Sequence, residues 1–197
     1  MNDFRRRWLL TSAAIAGLAA GAFAAWFAQR AEPDASSAQS ATAIFALTFD
    51  DAHGQPQPMS RWQGQWLVIN FWATWCAPCV EEMPALQQVA RDYRGRGVTI
   101  VGLGIDSAAA IRRFQADLKI DIPLLVAGAG GTELARQLGN SSGALPYTVL
   151  INPGGHIVRT RLGAVRPELL RSWLDSGLGR QGGLDRGEKN VQTARLH

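Results

Sequence analysis

The chain has 197 residues, enough for one core of ordinary size and too few for two full domains to be expected. Its hydrophobic share of 47% and charged share of 18% are those of a folding chain, with part of the apolar content concentrated near the N-terminus. The formal charge of +4 divides into +1 over residues 1–34, +2 over the tail from 179 and +1 over the body between, which leaves no basic stripe and no reason to expect nucleic-acid binding.

The run "WLLTSAAIAGLAAGAFAAWFAQ", between Arg7 and Arg30, carries no charge. As a helix it would cross roughly the 30 Å hydrocarbon core, so residues 1–30 are read as a single membrane anchor. Arg5, Arg6 and Arg7 would hold its N-terminal side in the cytoplasm and place the body outside. A signal peptide cleaved near Ala22-Phe23-Ala24 is the alternative, with the domain then secreted to the periplasm. "RRRWLL" also resembles a twin-arginine signal, too loosely to decide the route. Residues 31–41 turn to Ala, Ser, Gln and Glu and read as a flexible spacer.

From 42 to 178 strand and helix signals alternate. "AIFALTF" (43–49) predicts a short strand, "DDAHGQPQP" a polar turn, and the apolar run "WLVINFW" a central strand buried on both faces. Val80, Met83, Leu86, Val89 and Ala90 recur at helical spacing over 77–93, ended by Gly95 and Gly97. "VTIVGLGI" is a second buried strand. "SAAAIRRFQADL" is a helix with Ser107 as N-cap. "PLLVA" is a short extended piece and "GTELARQLG" a short helix; "YTVLIN" and "HIVRTRL" flank the turn "PGG" as a hairpin. "RPELLRSWLDSG" closes the domain as a helix with Pro167 early in it. The pattern stops near Ser176, and residues 179–197 read as a disordered polar tail. Alternation followed by a hairpin predicts an α/β layered sandwich with a mixed sheet.

The two cysteines, Cys76 and Cys79, admit four readings. A structural zinc site needs four ligands, and His53 and His156, in turns rich in Gly and Pro, would have to complete it. Covalent haem attachment needs His after the second cysteine, where this chain has Val80. A structural disulfide over so short a loop contributes little in the loop-entropy picture. A redox dithiol is favoured by position, because the pair falls where a buried strand hands over to a helix. Cys76 would sit at the helix N-terminus, where free N–H groups and the macrodipole stabilise a thiolate. Pro78 costs no needed donor there, and Cys79, one turn in, would be the more buried resolving thiol.

"FWATWCAPC" after a β-run, the following "EEMPAL" and the later "ALPYTVLIN" resemble the membrane-anchored TlpA/ResA-like branch of the thioredoxin superfamily over about residues 44–177. That resemblance implies a thioredoxin-like three-layer sandwich and disulfide reduction or exchange outside the cytoplasm, with no dissociable cofactor beyond the Cys76–Cys79 pair. The implied partners are protein disulfides, apocytochrome c among them, and a membrane thiol carrier of the DsbD/CcdA type as electron donor. Pro146 matches the family's cis-proline facing the cysteines, and Leu145 beside it would pair with an extended substrate segment. Trp75 is expected over one side of the active sulfur, with Ala77 and Pro78 at the substrate surface. Glu82 aligns with a carboxylate behind the cysteines that tunes the dithiol and moves protons. Asn70 stands where ordinary thioredoxins carry a buried aspartate, and an amide cannot titrate, so the proton acceptor falls to Glu82 or water.

The expectation is therefore an extracytoplasmic disulfide reductase in which Cys76 attacks and Cys79 resolves. An oxidant of the same architecture is the second reading. The third is a copper-handling or redox-sensing protein, since two thiolates can hold a soft cation.

Overall fold

The computed structural model describes residues 41–179. The expected anchor, nearly all of the spacer and the tail from 180 lie outside them. Among the described residues no helix is long and apolar enough to cross a membrane.

Seven strands form one mixed sheet: β1 (Thr48–Asp51), β2 (Pro56–Pro58), β3 (Trp66–Trp72), β4 (Val98–Gly104), β5 (Leu124–Val126), β6 (Tyr147–Ile151) and β7 (Ile157–Leu162). Their order across the sheet is β2-β1-β5-β4-β3-β6-β7. β3, β4 and β5 run parallel, and the remaining neighbours pair antiparallel. The longer helices are α1 (Ala77–Asp92), α2 (Ala108–Asp117), α3 (Gly130–Gln137) and α4 over 167–179, with a helical turn over 41–44 and a 3-10 turn at Met59–Trp62.

All seven residues of β3 are buried, as expected of an uninterrupted apolar run between two layers. Alternation distributes them. Trp66, Val68 and Trp72 join the cluster that holds Met83, Leu86 and Val89 of α1, Ile111 and Phe114 of α2, and Leu170 and Leu174 of α4. Leu67, Ile69 and Phe71 face the other cluster, with Ala41, Ile44, Phe45, Met59, Trp62 and Ala135. Two core layers with the sheet between them make the expected three-layer sandwich. Asn70 has the parity of the α1 face, which sets up the site below.

Four sequence expectations are corrected. Residues 41–44 are helical, and the strand begins only at Thr48. The buried residues Ala41, Ile44 and Phe45 fall at i, i+3, i+4, the spacing of one helix face, so their burial selects the helix over the pleat. The buried Ala41 thereby belongs to the domain, not to the spacer. The polar stretch 50–58 is a hairpin rather than a free turn: Asp51 Oδ1 accepts from the N–H of His53 and Gln55, and β2 pairs with β1. The last helix runs past Ser176 to 179 because Gly177 is buried against Trp66, where a Cβ would come within 2.5 Å of the indole ring. Ser107 caps α2 as predicted, its hydroxyl accepting from the N–H of Ala110 at 3.2 Å.

Candidate active site

The site starts at the C-terminal end of β3. After Trp72, whose buried ring packs on Phe114 at 4.6 Å, the chain turns through Ala73, Thr74 and Trp75 into α1. Cys76 is the N-cap, with extended φ and ψ of −95° and 98°, and no side chain caps the first turn. The positive end of the helix dipole therefore lies at its sulfur. Ala77 and Pro78 form the exposed start of the helix, and Pro78 withdraws no hydrogen bond there. Cys79 follows one turn in. The two cysteines are joined in a disulfide, with Cα atoms 5.3 Å apart. Their exposures differ: Cys76 keeps 7% of its surface and Cys79 none.

Glu82 lies one further turn along the face of α1 that carries Cys79, and it is buried. Its oxygens each accept one strong bond: Oε1 from Asn70 Nδ2 at 2.8 Å, and Oε2 from the N–H of Val165 at 2.7 Å. Asn70 Nδ2 also donates to Thr148 Oγ1 at 3.1 Å. Burial raises the Glu82 carboxyl above its ordinary range, and the two hydrogen bonds only partly oppose it. Such a group can exchange protons nearer neutrality than a surface glutamate. Glu81, its neighbour in sequence, is exposed and takes no part in this network.

The Leu145–Pro146 peptide is cis. The Pro146 carbonyl accepts from the N–H of Gly163 at 2.9 Å, so the loop that holds Glu82 through Val165 is tied to Pro146 as well. Leu145 is half-buried and packs against the cluster containing Cys76 and Cys79. The approach to it is shaped by Asn140, buried although polar. Its Nδ2 donates to the Ala144 carbonyl at 2.9 Å, and its Oδ1 accepts from the Ser142 hydroxyl at 3.0 Å. Trp75 stands out at 69% exposure, the most exposed of the large apolar side chains among the described residues.

Sequence reasoning missed Asp106. Its Oδ2 accepts from both the N–H and the hydroxyl of Thr74, at 3.1 and 2.5 Å, and its Oδ1 from the N–H of Ser107 at 2.7 Å. Burial pushes this carboxyl up, but the bonds from Thr74 and Ser107 outweigh it and hold the group below its usual range. An ionised side chain thus fixes the turn that delivers Trp75 and Cys76. A signal existed: β3 and β4 are parallel neighbours with Trp72 opposite Gly104, so two residues further Thr74 meets Asp106. Thr148 and Val165 were also missed, and nothing local marks either one.

His53 and His156 are exposed, in the turns where the sequence placed them. Among the described residues no group of three His, Cys, Asp or Glu side chains converges to hold a metal ion.

A disulfide at the mouth of a helix that leaves the central parallel strand, on this seven-stranded order, defines a thioredoxin-fold thiol–disulfide oxidoreductase. The chain belongs to the AhpC/TSA family, whose profile matches residues 39–160. Among curated relatives, the thiol-disulfide oxidoreductase ResA of Bacillus cereus is 30% identical over 125 residues, covering 63% of this chain and 70% of that protein. ResA of Halalkalibacterium halodurans is 25% identical over 179 residues, covering 89% and 97%. A thiol:disulfide interchange protein from Chlorobium tepidum shares the fold with a TM-score of 0.59 at 23% identity, over 67% of this chain and 92% of that one.

Proposed function

We propose that the protein is an extracytoplasmic disulfide reductase, anchored by residues 1–30, in which Cys76 attacks and Cys79 resolves. The observation that carries this reading is the asymmetry of the pair: a cysteine at the helix mouth that keeps 7% of its surface, and a partner fully enclosed one turn before a buried carboxyl. In the reduced enzyme the Cys76 thiolate attacks one sulfur of a substrate disulfide. A Cys76–substrate bond forms, and the other substrate sulfur leaves as a thiolate that takes a proton from water. Cys79 gives up its thiol proton and attacks Cys76 Sγ, forming the intramolecular disulfide and releasing the second substrate thiolate, which also takes a proton from water. The substrate gains two electrons and two protons, and the enzyme dithiol is oxidised. Glu82 is the acceptor for the Cys79 proton.

Trp75, Ala77 and Pro78 form the exposed rim on which a protein substrate lands, and the Leu145 backbone beside Pro146 pairs with its extended segment. Apocytochrome c with an oxidised cysteine pair is the substrate we propose, and a DsbD/CcdA-type membrane thiol carrier is the donor that returns electrons. The charge-free run before Arg30 and the arginines preceding it support the location. The relatives named thiol-disulfide oxidoreductase support the reaction.

Cys79→Ser leaves the first step intact and removes the second, so mixed disulfides on Cys76 should accumulate in cells, and Cys76→Ser should yield none. A reduction potential as oxidising as that of a strong periplasmic oxidant, about −120 mV, would reverse the direction of electron flow and sink the reductase reading.

A further inference from the structure

Glu82, Asn70, Thr148 and the Val165 N–H form a small polar group enclosed in the apolar core, and its donors and acceptors do not balance. Asn70 Nδ2 uses both of its protons, on Glu82 Oε1 and on Thr148 Oγ1. Oδ1 of the same amide is buried and has no hydrogen-bond partner. Buried acceptors are seldom left so.

The two oxygens of Glu82 both face N–H donors, the pattern that suits an ionised carboxylate. A proton cannot settle on Oε2 without breaking the bond from Val165. Nor can it settle on Oε1 while Nδ2 points there, because both groups would then be donors. A half-turn of the Asn70 carboxamide resolves the conflict. The two ends of an amide have nearly the same shape, so Oδ1 can take the place of Nδ2 within the same space. It then accepts from the Oε1–H of the acid, and the Thr148 hydroxyl, which can donate or accept, reverses to donate to it.

We propose that Asn70 is a positioning residue whose carboxamide reverses with the proton on Glu82, holding the carboxylate through Nδ2 and the acid through Oδ1. The proposal rests on the reading of Glu82 as proton acceptor for the dithiol, and it says how a buried acid can change state without disturbing its surroundings. The Val165 bond to Oε2 persists in both states, so the loop tied to the Pro146 carbonyl keeps its place while the proton enters and leaves at Oε1. One end of the amide goes unpaired in either orientation, so the Glu82 proton decides between them. From β3 the group facing Glu82 is Asn70, from β6 Thr148 through that amide, and from the loop after β7 the N–H of Val165. On its own helix Cys76 and Cys79 are held in the disulfide, and Glu81, like Arg166 beside Val165, is exposed.

The test is an NMR titration of the oxidised full chain, in which the disulfide keeps both cysteines from titrating. The side-chain amide resonances of Asn70 and the carboxyl carbon of Glu82 are expected to shift about one common midpoint. In Glu82→Gln the new carbonyl can accept from Val165 and the new amide can donate to Asn70 Oδ1. The Asn70 resonances of that variant should therefore sit at the acid limit of the wild type at every pH. Asn70 resonances that stay fixed while the Glu82 carboxyl titrates overturn the proposal, and so do Glu82→Gln resonances at the basic limit. If Glu82→Gln does not fold, the wild-type titration decides alone. Neither readout needs turnover: a shared midpoint in a protein without exchange activity leaves the amide reversal standing and removes the redox reading, whereas a fixed Asn70 in an active enzyme removes only the reversal.

Discussion

Replacing Glu82 by glutamine and by alanine separates the cost of burying its charge from the value of the bonds it accepts. Its folded pKa is raised, with burial as the main cause. A group of this sign contributes its full stability below the unfolded value, about 4.3, and that stability is lost as pH rises through the folded value. Between those two limits the wild type should lose stability relative to Glu82→Gln by about 1.4 kcal/mol per pH unit, and above them the difference should be constant. Glu82→Gln keeps the shape and the bond from Val165, and its amide replaces the bond from Asn70 Nδ2 by one donated to Asn70 Oδ1, so it is expected to be the more stable protein at pH 8 while exchanging disulfides more slowly, with a flatter pH profile. Glu82→Ala behaves oppositely. It leaves the Val165 N–H and one proton of Asn70 Nδ2 buried without acceptors, at about 1–3 kcal/mol for each orphaned group. A loss of about 2–6 kcal/mol corresponds to a fall in Tm on the order of 10–20 °C for a domain of this size. Urea denaturation of the three oxidised proteins at pH 4 and pH 8 measures both effects. If glutamine destabilises at pH 8 as much as alanine does, or if the gap between wild type and glutamine is the same at both pH values, Glu82 is an ordinary structural acid and the reasoning fails.

Asp106→Ala should lower stability by about 1–2 kcal/mol through the bonds lost from Thr74 and Ser107, and should slow the attack of the reduced Cys76 on disulfide reagents by loosening the turn before it. Because the folded pKa of Asp106 is depressed, its contribution is present above the unfolded value and lost as pH falls through the folded one, so the gap between wild type and variant should close in an acid titration below about pH 4. Gly177→Ala forces a methyl to within 2.5 Å of the Trp66 ring and should cost about 1–3 kcal/mol in urea denaturation. Gly179→Ala, where a Cβ meets nothing within 4 Å, should be close to neutral, and an equal loss at both positions would refute the packing argument.

The elements that the sequence made legible are those whose physics is local. The run Trp66–Trp72 could only be a strand buried on both faces, and the helical spacing after Cys76 and the Ser107 cap each followed from a few adjacent residues. The failures have a common form. At 43–49 a stretch of Ala, Ile, Phe and Leu suits either period, and only the core it meets decides which face is buried. At Gly177 the helical pattern fades, and the contact met there by the helix that continues to 179 is with Trp66, more than a hundred positions earlier. The cysteine pair was legible because it falls where a buried strand hands over to a helix, a local signal, whereas Glu82 was marked by the family resemblance. Asp106 and Val165 were not legible, since they reach the site from 32 and 83 positions away from the residues they hold.

Asn70 shows where residue-by-residue reading falls short. Taken alone, an amide in place of an aspartate removes a proton acceptor and leaves Glu82 or water to serve. In the fold the two positions touch, 2.8 Å apart, and that distance changes what the amide means. A carboxylate at 70 would lie against Glu82 as a like charge, and two acids so close share a proton and titrate as a pair, one of them far above its ordinary range. The amide leaves Glu82 as the one acid of its network. It hydrogen-bonds that acid without competing for its proton, so the titration of this buried network belongs to Glu82 alone.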